Sequence, residues 1–251
     1  MGRAILDAVS AADGMEPVGV LEKLAETESL ILPSGIEVPM TADEDDAFDE
    51  GKPDVVIDFT NAAWTPIVAE AALRRGVRPV IGTSGLSPDF IASLAQRCSE
   101  ARVGGVVAAN FALGGVLMMH MARLAARWFD SAEIIELHHD QKVDAPSGTA
   151  VETARGMVEA RGRAFERNVP QQETIAHARA AEVGGVTLHS VRLPGLVAHQ
   201  EVIFGGLGQT LTIRHDSTGR DSFMPGIVLA VREVMRREAL VVGLGPLLGL
   251  E

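Results

Sequence analysis

The stretch "DVVIDFTNAAWTPIVAEAALRRGVRPVIGTSG" (residues 54–85) contains a strand, a helix and a second strand in succession. Both strand segments, 54–60 and 78–85, are continuous apolar runs, which is typical of parallel strands that are buried on both faces. The helical segment between them (62–76) ends in two arginines and a glycine, which are helix-stop signals. The stretch therefore predicts one crossover unit of a parallel sheet.

The same alternation continues on both sides of this stretch. Strand-like runs occur at 17–22 and 103–111, and the chain opens on a helical pattern, "MGRAILDAVS" (1–10). In "SPDFIASLAQRCSEA" (87–101), Ser87 is a candidate N-cap and Pro88 occupies the first helical position. Strands that alternate with helices predict an α/β fold, a Rossmann-like doubly wound parallel sheet.

The pattern changes after residue 110. A helix (114–129), a strand (132–139) and a helix (148–161) are followed by strand-like runs without helices between them, at 185–195, 199–206 and 209–217. These runs alternate as antiparallel strands with one buried face do. We expect a second, α+β domain with an open mixed sheet, and a final helix over 222–239.

Composition excludes several classes of protein. The net charge of -12 argues against nucleic-acid binding, which depends on clustered Lys and Arg. The longest apolar run, 239–250, is broken by glycine and proline and is shorter than the roughly 20 residues of a membrane span. Cys98 is the single cysteine, so no internal disulfide can form, and we expect a cytoplasmic protein.

The segment "HHDQKVDAPSGTA" (138–150) holds the densest set of reactive groups. His138, His139 and Lys142 fall within five residues at the end of a strand, where functional side chains are often placed. Histidine and lysine can both donate a proton. Residues 147–149 begin a helix, whose free N–H groups can seat an anion such as a carboxylate. The segment predicts an anionic substrate that is protonated during turnover.

Other interpretations of these residues stay open at this point. Two adjacent histidines can bind a metal, although the spaced carboxylates or cysteines that zinc prefers are lacking nearby. Lys142 can be a solvated loop lysine, and Ser147, Gly148 and Thr149 an ordinary helix cap.

Two further loops follow predicted parallel strands. These loops are "GTSG" (82–85) and "AANF" (108–111), and ligands of open α/β sheets bind outside the carboxyl ends of the strands. Glu22 and Lys23 end the first strand-like run, where an acidic residue can bond a ribose and a base can meet a 2′-phosphate. Loops of this composition and strand-end glutamates are also common without a ligand.

Taken together, these motifs resemble the dihydrodipicolinate reductase family, over essentially the whole chain from Gly2. "HHDQKVDAPSGTA" matches the family signature, and "DFT" (58–60), "GTSG", "AANF" and "HQEVIFGGLGQTLTIRHDS" (199–217) follow in the family's order. The resemblance implies reduction of 4-hydroxy-tetrahydrodipicolinate by NADH or NADPH to tetrahydrodipicolinate, with loss of water, in the diaminopimelate route to lysine. The substrate is then a small dicarboxylate, and we expect no metal, membrane or nucleic acid.

The resemblance also implies residue roles. His138 is the expected proton donor and acceptor, Lys142 the second proton donor, and His139 a substrate contact. Ser147, Gly148 and Thr149 are expected to bind the substrate, with Gly148 and Thr149 holding one of its carboxylates. The implied cofactor contacts are Glu22 at the adenosine ribose, Lys23 at a 2′-phosphate, Gly82, Thr83 and Ser84 beside the nicotinamide, and Ala108, Ala109, Asn110 and Phe111 across from it.

The implied domains are a nucleotide-binding domain, formed by 1–109 and 218–251, and a substrate-binding domain, 110–217, that builds a homotetramer. The sequence departs from the family at its start, because the family's first strand and glycine-rich loop end in "GRMGR" and this chain begins inside "MGR". We therefore expect a reading frame that extends upstream of Met1, and a sheet that lacks its first strand.

Two alternative functions follow from the same residues. A cofactor-deficient paralogue would bind a dicarboxylate or assemble without turnover. An amino-acid dehydrogenase of the same two-domain plan, such as aspartate dehydrogenase, is disfavoured by the "HHDQK" and "SGT" segments.

Overall fold

A computed structural model describes residues 1–250, which fall into two compact units, residues 1–113 with 223–250 and residues 114–222. The first 113 residues form α1 (Gly2–Ala11), β1 (Val20–Leu21), β2 (Ser29–Ile31), β3 (Glu37–Thr41), α2 (Glu44–Gly51), β4 (Val55–Asp58), α3 (Thr65–Leu73), β5 (Arg78–Ile81), α4 (Pro88–Ala101) and β6 (Gly105–Val107). Then follow α5 (Leu113–Ala126), β7 (Ser131–His138), α6 (Gly148–Arg161), β8 (Ala181–Val183), β9 (Val186–Arg192), β10 (Ala198–Gly206) and β11 (Gln209–Ser217). The last elements are a 3₁₀ helix (Arg220–Phe223), α7 (Met224–Val234), β12 (Leu240–Val242) and a 3₁₀ helix (Gly245–Leu248).

The first unit is built on a parallel sheet in the order β12-β6-β5-β4. Its strands are apolar on both faces because helices pack on the sheet, and Val80, Ile81 and Val106 are buried. Ser87 caps α4 by accepting a hydrogen bond from the Phe90 N–H, as the sequence predicts. The predicted Rossmann-like α/β fold is confirmed.

The strand-like run 17–22 differs from the prediction. Only Val20–Leu21 forms a strand, and it pairs with β3 in a separate three-stranded sheet of order β1-β3-β2. Among residues 1–250, no strand pairs with the edge of β4 that faces away from β5. A groove of about 1160 Å³ lined by both β1 and β4 lies there. The backbone groups of β1 are paired with β3 instead of with the main sheet.

The second unit is a mixed sheet in the order β11-β10-β7-β9-β8. The predicted antiparallel pairing holds for β10 and β11, whereas β9 lies on the other side of β7 and runs parallel to it. The parallel pair follows from the chain path, because α6 lies between β7 and β9 and provides the crossover that parallel strands require.

One face of this mixed sheet packs against α5 and α6. The apolar side chains of β7, β9 and β10 meet small helix residues there, and the core comprises Ala122, Ala126, Ile134, Ala150, Ala154, Met157, Leu188, Val202 and Phe204, among others. Alanine on the helices allows a close approach to the sheet, so the helix α6 lies directly against the strand that carries the candidate site.

The C-terminal segment is divided more finely than the sequence predicts. The predicted helix over 222–239 consists of the end of a 3₁₀ helix followed by α7, and the apolar run 239–250 supplies β12 at the edge of the parallel sheet. No helix within residues 1–250 is long and apolar enough to cross a membrane.

Candidate active site

The "HHDQK" segment begins at the carboxyl end of β7. His138 is the last residue of that strand and is mostly buried, whereas His139 is exposed. Because side chains alternate along a strand, His138 shares its sheet face with Glu136. His138 Nδ1 lies 2.6 Å from Glu136 Oε2.

Glu136 is fully buried and is the centre of a polar network. Its two carboxylate oxygens accept from both terminal nitrogens of Arg192, at 2.9 and 2.8 Å, and Oε1 also accepts from the Ser147 N–H at 3.2 Å. Burial by itself raises the pKa of Glu136, but hydrogen bonds from His138, Arg192 and Ser190 outweigh it and lower this pKa to about 2. The carboxylate is therefore charged at neutral pH.

Lys142 is held next to this network. Its Nζ donates to Asp144 Oδ1 at 2.6 Å, and this hydrogen bond lowers the pKa of the Asp144 carboxyl. Arg192 also donates to the backbone carbonyl of Asp144 at 2.8 Å. Arg192 thus connects the loop that carries Lys142 to the carboxylate that contacts His138.

The start of α6 completes the site. Ser147 is buried, its hydroxyl caps the helix by accepting from the Ala150 N–H, and its own N–H is bonded to Glu136. The N–H groups of Gly148 and Thr149 find no acceptor in the described part of the chain. These two N–H groups at a helix N-terminus form a binding site for an anion, called here the anion seat. The hydroxyl and the N–H of Ser147 are both hydrogen-bonded within the protein.

Glu136 and Arg192 belong to the site but were not predicted from the sequence. A signal existed for Glu136, which is a charged residue in an apolar strand two positions before His138. Arg192 gave no local signal, because it reaches the site through the pairing of β7 with β9, in which it lies opposite His138.

The cofactor residues predicted for the first unit meet at the carboxyl edge of its parallel sheet. Asp58, Ile81 and Val107 lie level in adjacent strands, so the loops that follow them start side by side. Thr83 Oγ1 lies 3.4 Å from Asp58 Oδ1 and accepts from the Thr65 hydroxyl at 2.9 Å. This buried network holds the "GTSG" loop.

An aromatic contact joins the "DFT" and "AANF" segments. The rings of Phe59 and Phe111 lie 5.3 Å apart between centroids. A Cβ atom on Gly82 would stand 2.2 Å from the Phe59 ring, so a larger residue there would require this ring to move. Ala108 continues the sheet by donating to the Ile81 carbonyl, and Ala109 is exposed.

The remaining loop residues are accessible or locally fixed. Ser84 is exposed, and the Asn110 side chain accepts from the Ala112 N–H at 2.9 Å, which sets the turn after β6. Glu22 is exposed just after β1 and accepts from the Leu24 N–H. Lys23 lies over the Trp64 ring, 5.6 Å from its centroid.

The structure therefore groups the predicted residues in two sets. His138, His139, Lys142, Ser147, Gly148 and Thr149 lie in the second unit, and all of the predicted cofactor residues lie in the first.

Family models of dihydrodipicolinate reductase match both units, the N-terminal model over residues 1–111 and the C-terminal model over residues 114–248. The chain belongs to the dihydrodipicolinate reductase family. The 4-hydroxy-tetrahydrodipicolinate reductase of Dehalococcoides mccartyi is 47% identical over 100% of this chain and 95% of that protein. The enzyme of the same name from Geobacillus kaustophilus is 50% identical over 97% of this chain and 93% of its own.

Solved structures agree with this family. The dipicolinate-bound dihydrodipicolinate reductase of Paenisporosarcina sp. TG-14 has a TM-score of 0.87 and 41% identity, and covers 98% of this chain and 94% of its own. An amine dehydrogenase from Mycobacterium smegmatis, at 13% identity and a TM-score of 0.61, shares the fold alone. The family and the oxidoreductase class predicted from the sequence are confirmed, and the N-terminal domain of this reductase family implies a pyridine nucleotide cofactor.

Proposed function

We propose that this chain reduces 4-hydroxy-tetrahydrodipicolinate to tetrahydrodipicolinate with NADH or NADPH, in the diaminopimelate route to lysine. The main support for this proposal is the Glu136–Arg192 network, which holds a histidine, a lysine-bearing loop and a helix N-terminus together in the second unit. A reaction that protonates an anionic substrate needs a proton donor, a positive charge and a binding site for the anion, and these three groups provide them.

The roles follow from the chemistry of each group. The N–H groups of Gly148 and Thr149 hold one carboxylate of the dicarboxylate substrate, and Ser147 fixes the start of their helix. His139 is exposed and is assigned a contact with the substrate. Lys142 exchanges its partner Asp144 for the substrate, and its positive charge stabilises the enamine-like intermediate. Lys142 and His138 then supply the proton.

The residues of the first unit fit a pyridine nucleotide. The Glu22 carboxylate suits ribose hydroxyls, and the Lys23 ammonium suits a 2′-phosphate, which supports use of NADPH as well as NADH. The first N–H groups of α1 lack a side-chain cap and border the groove, so they suit a phosphate. Gly82, Thr83 and Ser84 would line one side of the nicotinamide, and Ala108, Ala109, Asn110 and Phe111 the other. When bound, the cofactor supplies a hydride.

Replacement of His138 or Lys142 by Ala tests these roles. We expect kcat to fall by roughly 10²- to 10⁴-fold, because a proton donor is removed, while the Kd of NADPH stays within about twofold. Turnover is followed by the loss of nicotinamide absorbance with 4-hydroxy-tetrahydrodipicolinate, and Kd by cofactor fluorescence. Unchanged turnover in both variants would contradict the assignment.

The second domain, 110–217, is also proposed to assemble four copies of the chain in the cytoplasm. The sheet face away from α5 and α6 carries Ile135, Leu137, Val191 and Ile203, all partly exposed. Apolar side chains on an uncovered sheet face favour contact with another copy. Light scattering coupled to size exclusion is expected to give four times the chain mass, and a monomer would contradict this proposal.

One observation favours the cofactor-deficient alternative, namely the unpaired edge of β4 beside the groove. Titration of the chain with NADPH and with dipicolinate distinguishes the two proposed functions. A reductase binds both NADPH and dipicolinate, whereas a cofactor-deficient paralogue binds dipicolinate alone.

A further inference from the structure

We infer that Glu136 is the positioning residue that selects the tautomer of His138 and thereby assigns the transferable proton to His138 Nε2. This inference rests on the proposed function for its catalytic meaning, while the tautomer itself is a property of the folded chain. Glu136 contacts neither substrate nor cofactor in this scheme, because it is fully buried behind His138, Arg192 and Ser147.

The tautomer follows from the chemistry of the contact. An ionised carboxylate has no proton to donate, so the 2.6 Å contact between Glu136 Oε2 and His138 Nδ1 requires that Nδ1 carry the hydrogen. Neutral His138 then has its lone pair on Nε2, and protonated His138 carries its second N–H there. No group among residues 1–250 forms a hydrogen bond with His138 Nε2, so this nitrogen remains available for proton transfer.

Arg192 keeps Glu136 in the required state. Its two terminal nitrogens bond both carboxylate oxygens, and this bidentate pair fixes the carboxylate plane and favours its charge. The remaining lone pairs accept from His138 and from Ser147. A buried carboxylate is tolerated only when its lone pairs are satisfied in this way.

The same carboxylate aligns the proton donor with the anion seat. Ser147 N–H donates to Glu136, and Gly148 and Thr149 follow directly. Movement of Glu136 would therefore displace both the ring of His138 and the N–H groups that hold the substrate. A displacement of about 1 Å at reacting groups can cost roughly 10²-fold in rate.

Glu136→Gln tests the inference, because glutamine keeps the shape but removes the charge. In the unaltered protein, ¹⁵N NMR of the His138 ring at neutral pH is expected to show the Nδ1–H tautomer. In the variant we expect a substantial Nε2–H population, since an amide N–H can now face Nδ1, with kcat lowered by roughly 10²-fold and the Kd of NADPH unchanged. The signals are assigned by their loss in His138→Ala.

Glu133→Gln is the matched control. Glu133 lies three positions before Glu136 on β7 and therefore projects from the opposite face of the sheet. Its carboxylate also contacts an arginine and a histidine, Arg179 and His189. This variant is expected to leave the His138 tautomer and kcat unchanged. If Glu136→Gln does not fold, Glu136→Asp keeps the charge opposite Arg192 and is expected to retain the Nδ1–H tautomer.

Two outcomes overturn the inference. The first is an unchanged Nδ1–H tautomer in Glu136→Gln. The second is a kcat loss that appears equally in the His138→Ala background, because a residue that acts through His138 has no further effect once that ring is gone. A chain without reductase activity would contradict the proposed function, whereas the NMR result would still decide the tautomer.

Discussion

Gly148 and Gly82 illustrate two different reasons for a glycine. A Cβ atom on Gly148 would meet nothing within 4 Å, whereas one on Gly82 would penetrate the Phe59 ring. Gly82 therefore allows the Phe59 ring to pack against the backbone within the first unit. Gly148 is the first residue of α6 and is exposed, so packing within the chain does not require glycine there. The proposed reason is room for a substrate carboxylate.

Gly148→Ala is accordingly expected to raise the KM for 4-hydroxy-tetrahydrodipicolinate by roughly tenfold, or about 1.4 kcal/mol of binding, because a methyl group enters the anion seat. The Tm should stay the same or rise slightly, since alanine favours helix. Steady-state kinetics and thermal unfolding measure the two effects.

Gly205→Ala serves as the control for this substitution. Its added Cβ would make only an ordinary contact, 3.9 Å from Ser131 Cβ, in a strand outside the site. It is expected to leave KM unchanged. An unchanged KM in Gly148→Ala as well would exclude the anion seat at this helix.

Among the elements, β4 is an edge strand of the parallel sheet, and one of its edges is unpaired within the described residues, although its side chains are as apolar as those of the neighbouring strands. The groove beside it is lined by Val55 and Ile57 of β4, by Val20 of β1 and by Ile5 of α1. Asp58 at the end of β4 has a buried oxygen, Oδ2, without a hydrogen-bond partner. Both features leave polar groups at this end of the sheet without a partner among the described residues.

A short apolar strand of about six residues, fused with a glycine-rich loop ahead of Met1, is expected to pair with β4. The fusion should raise the Tm and tighten NADPH binding by at least about tenfold, because backbone N–H groups would be added beside α1. Fluorescence titration and thermal unfolding test this expectation.

The matched control is the same extension with a proline at the centre of the strand, which cannot donate to the ladder. It should return both values towards those of the unfused chain. Equal behaviour of the two extensions would mean that no strand is added at this edge.

The whole molecule combines a net charge of -12 with several carboxylates that are held by arginine. The ordinary pKa of Glu136, 4.5, falls to about 2 in the folded protein. The folded state therefore binds this proton more weakly than the unfolded state does. The stabilisation is complete above pH 4.5 and is lost as the pH falls towards about 2. The lowered pKa values of Glu133, Asp144 and Asp216 act in the same direction.

We thus expect the free energy of unfolding, measured with urea, to decrease as the pH falls below 4.5. Glu136→Gln should be less stable at neutral pH by about 3 kcal/mol, because Arg192 loses its buried partner, and should show a shallower decrease in acid. A decrease of the same steepness in both proteins would show that Glu136 does not contribute.

The sequence by itself determined those strands, caps and loops that depend on the pattern of neighbouring residues. The parallel strands at β4, β5 and β6, the cap of α4 by Ser87 and the loop from His138 to Thr149 all follow from neighbouring residues, so their chemistry could be predicted. The family signature lies in the same short segments.

Only the tertiary structure decided which distant residues share a site. Glu136 and Arg192 are 56 residues apart and meet because α6 carries the chain across to a strand parallel to β7. The position of β1 outside the main sheet was likewise set by the pairing available to it and not by its apolar pattern. Apolar periodicity reports that a segment is buried, whereas its neighbours depend on backbone pairing over the whole chain.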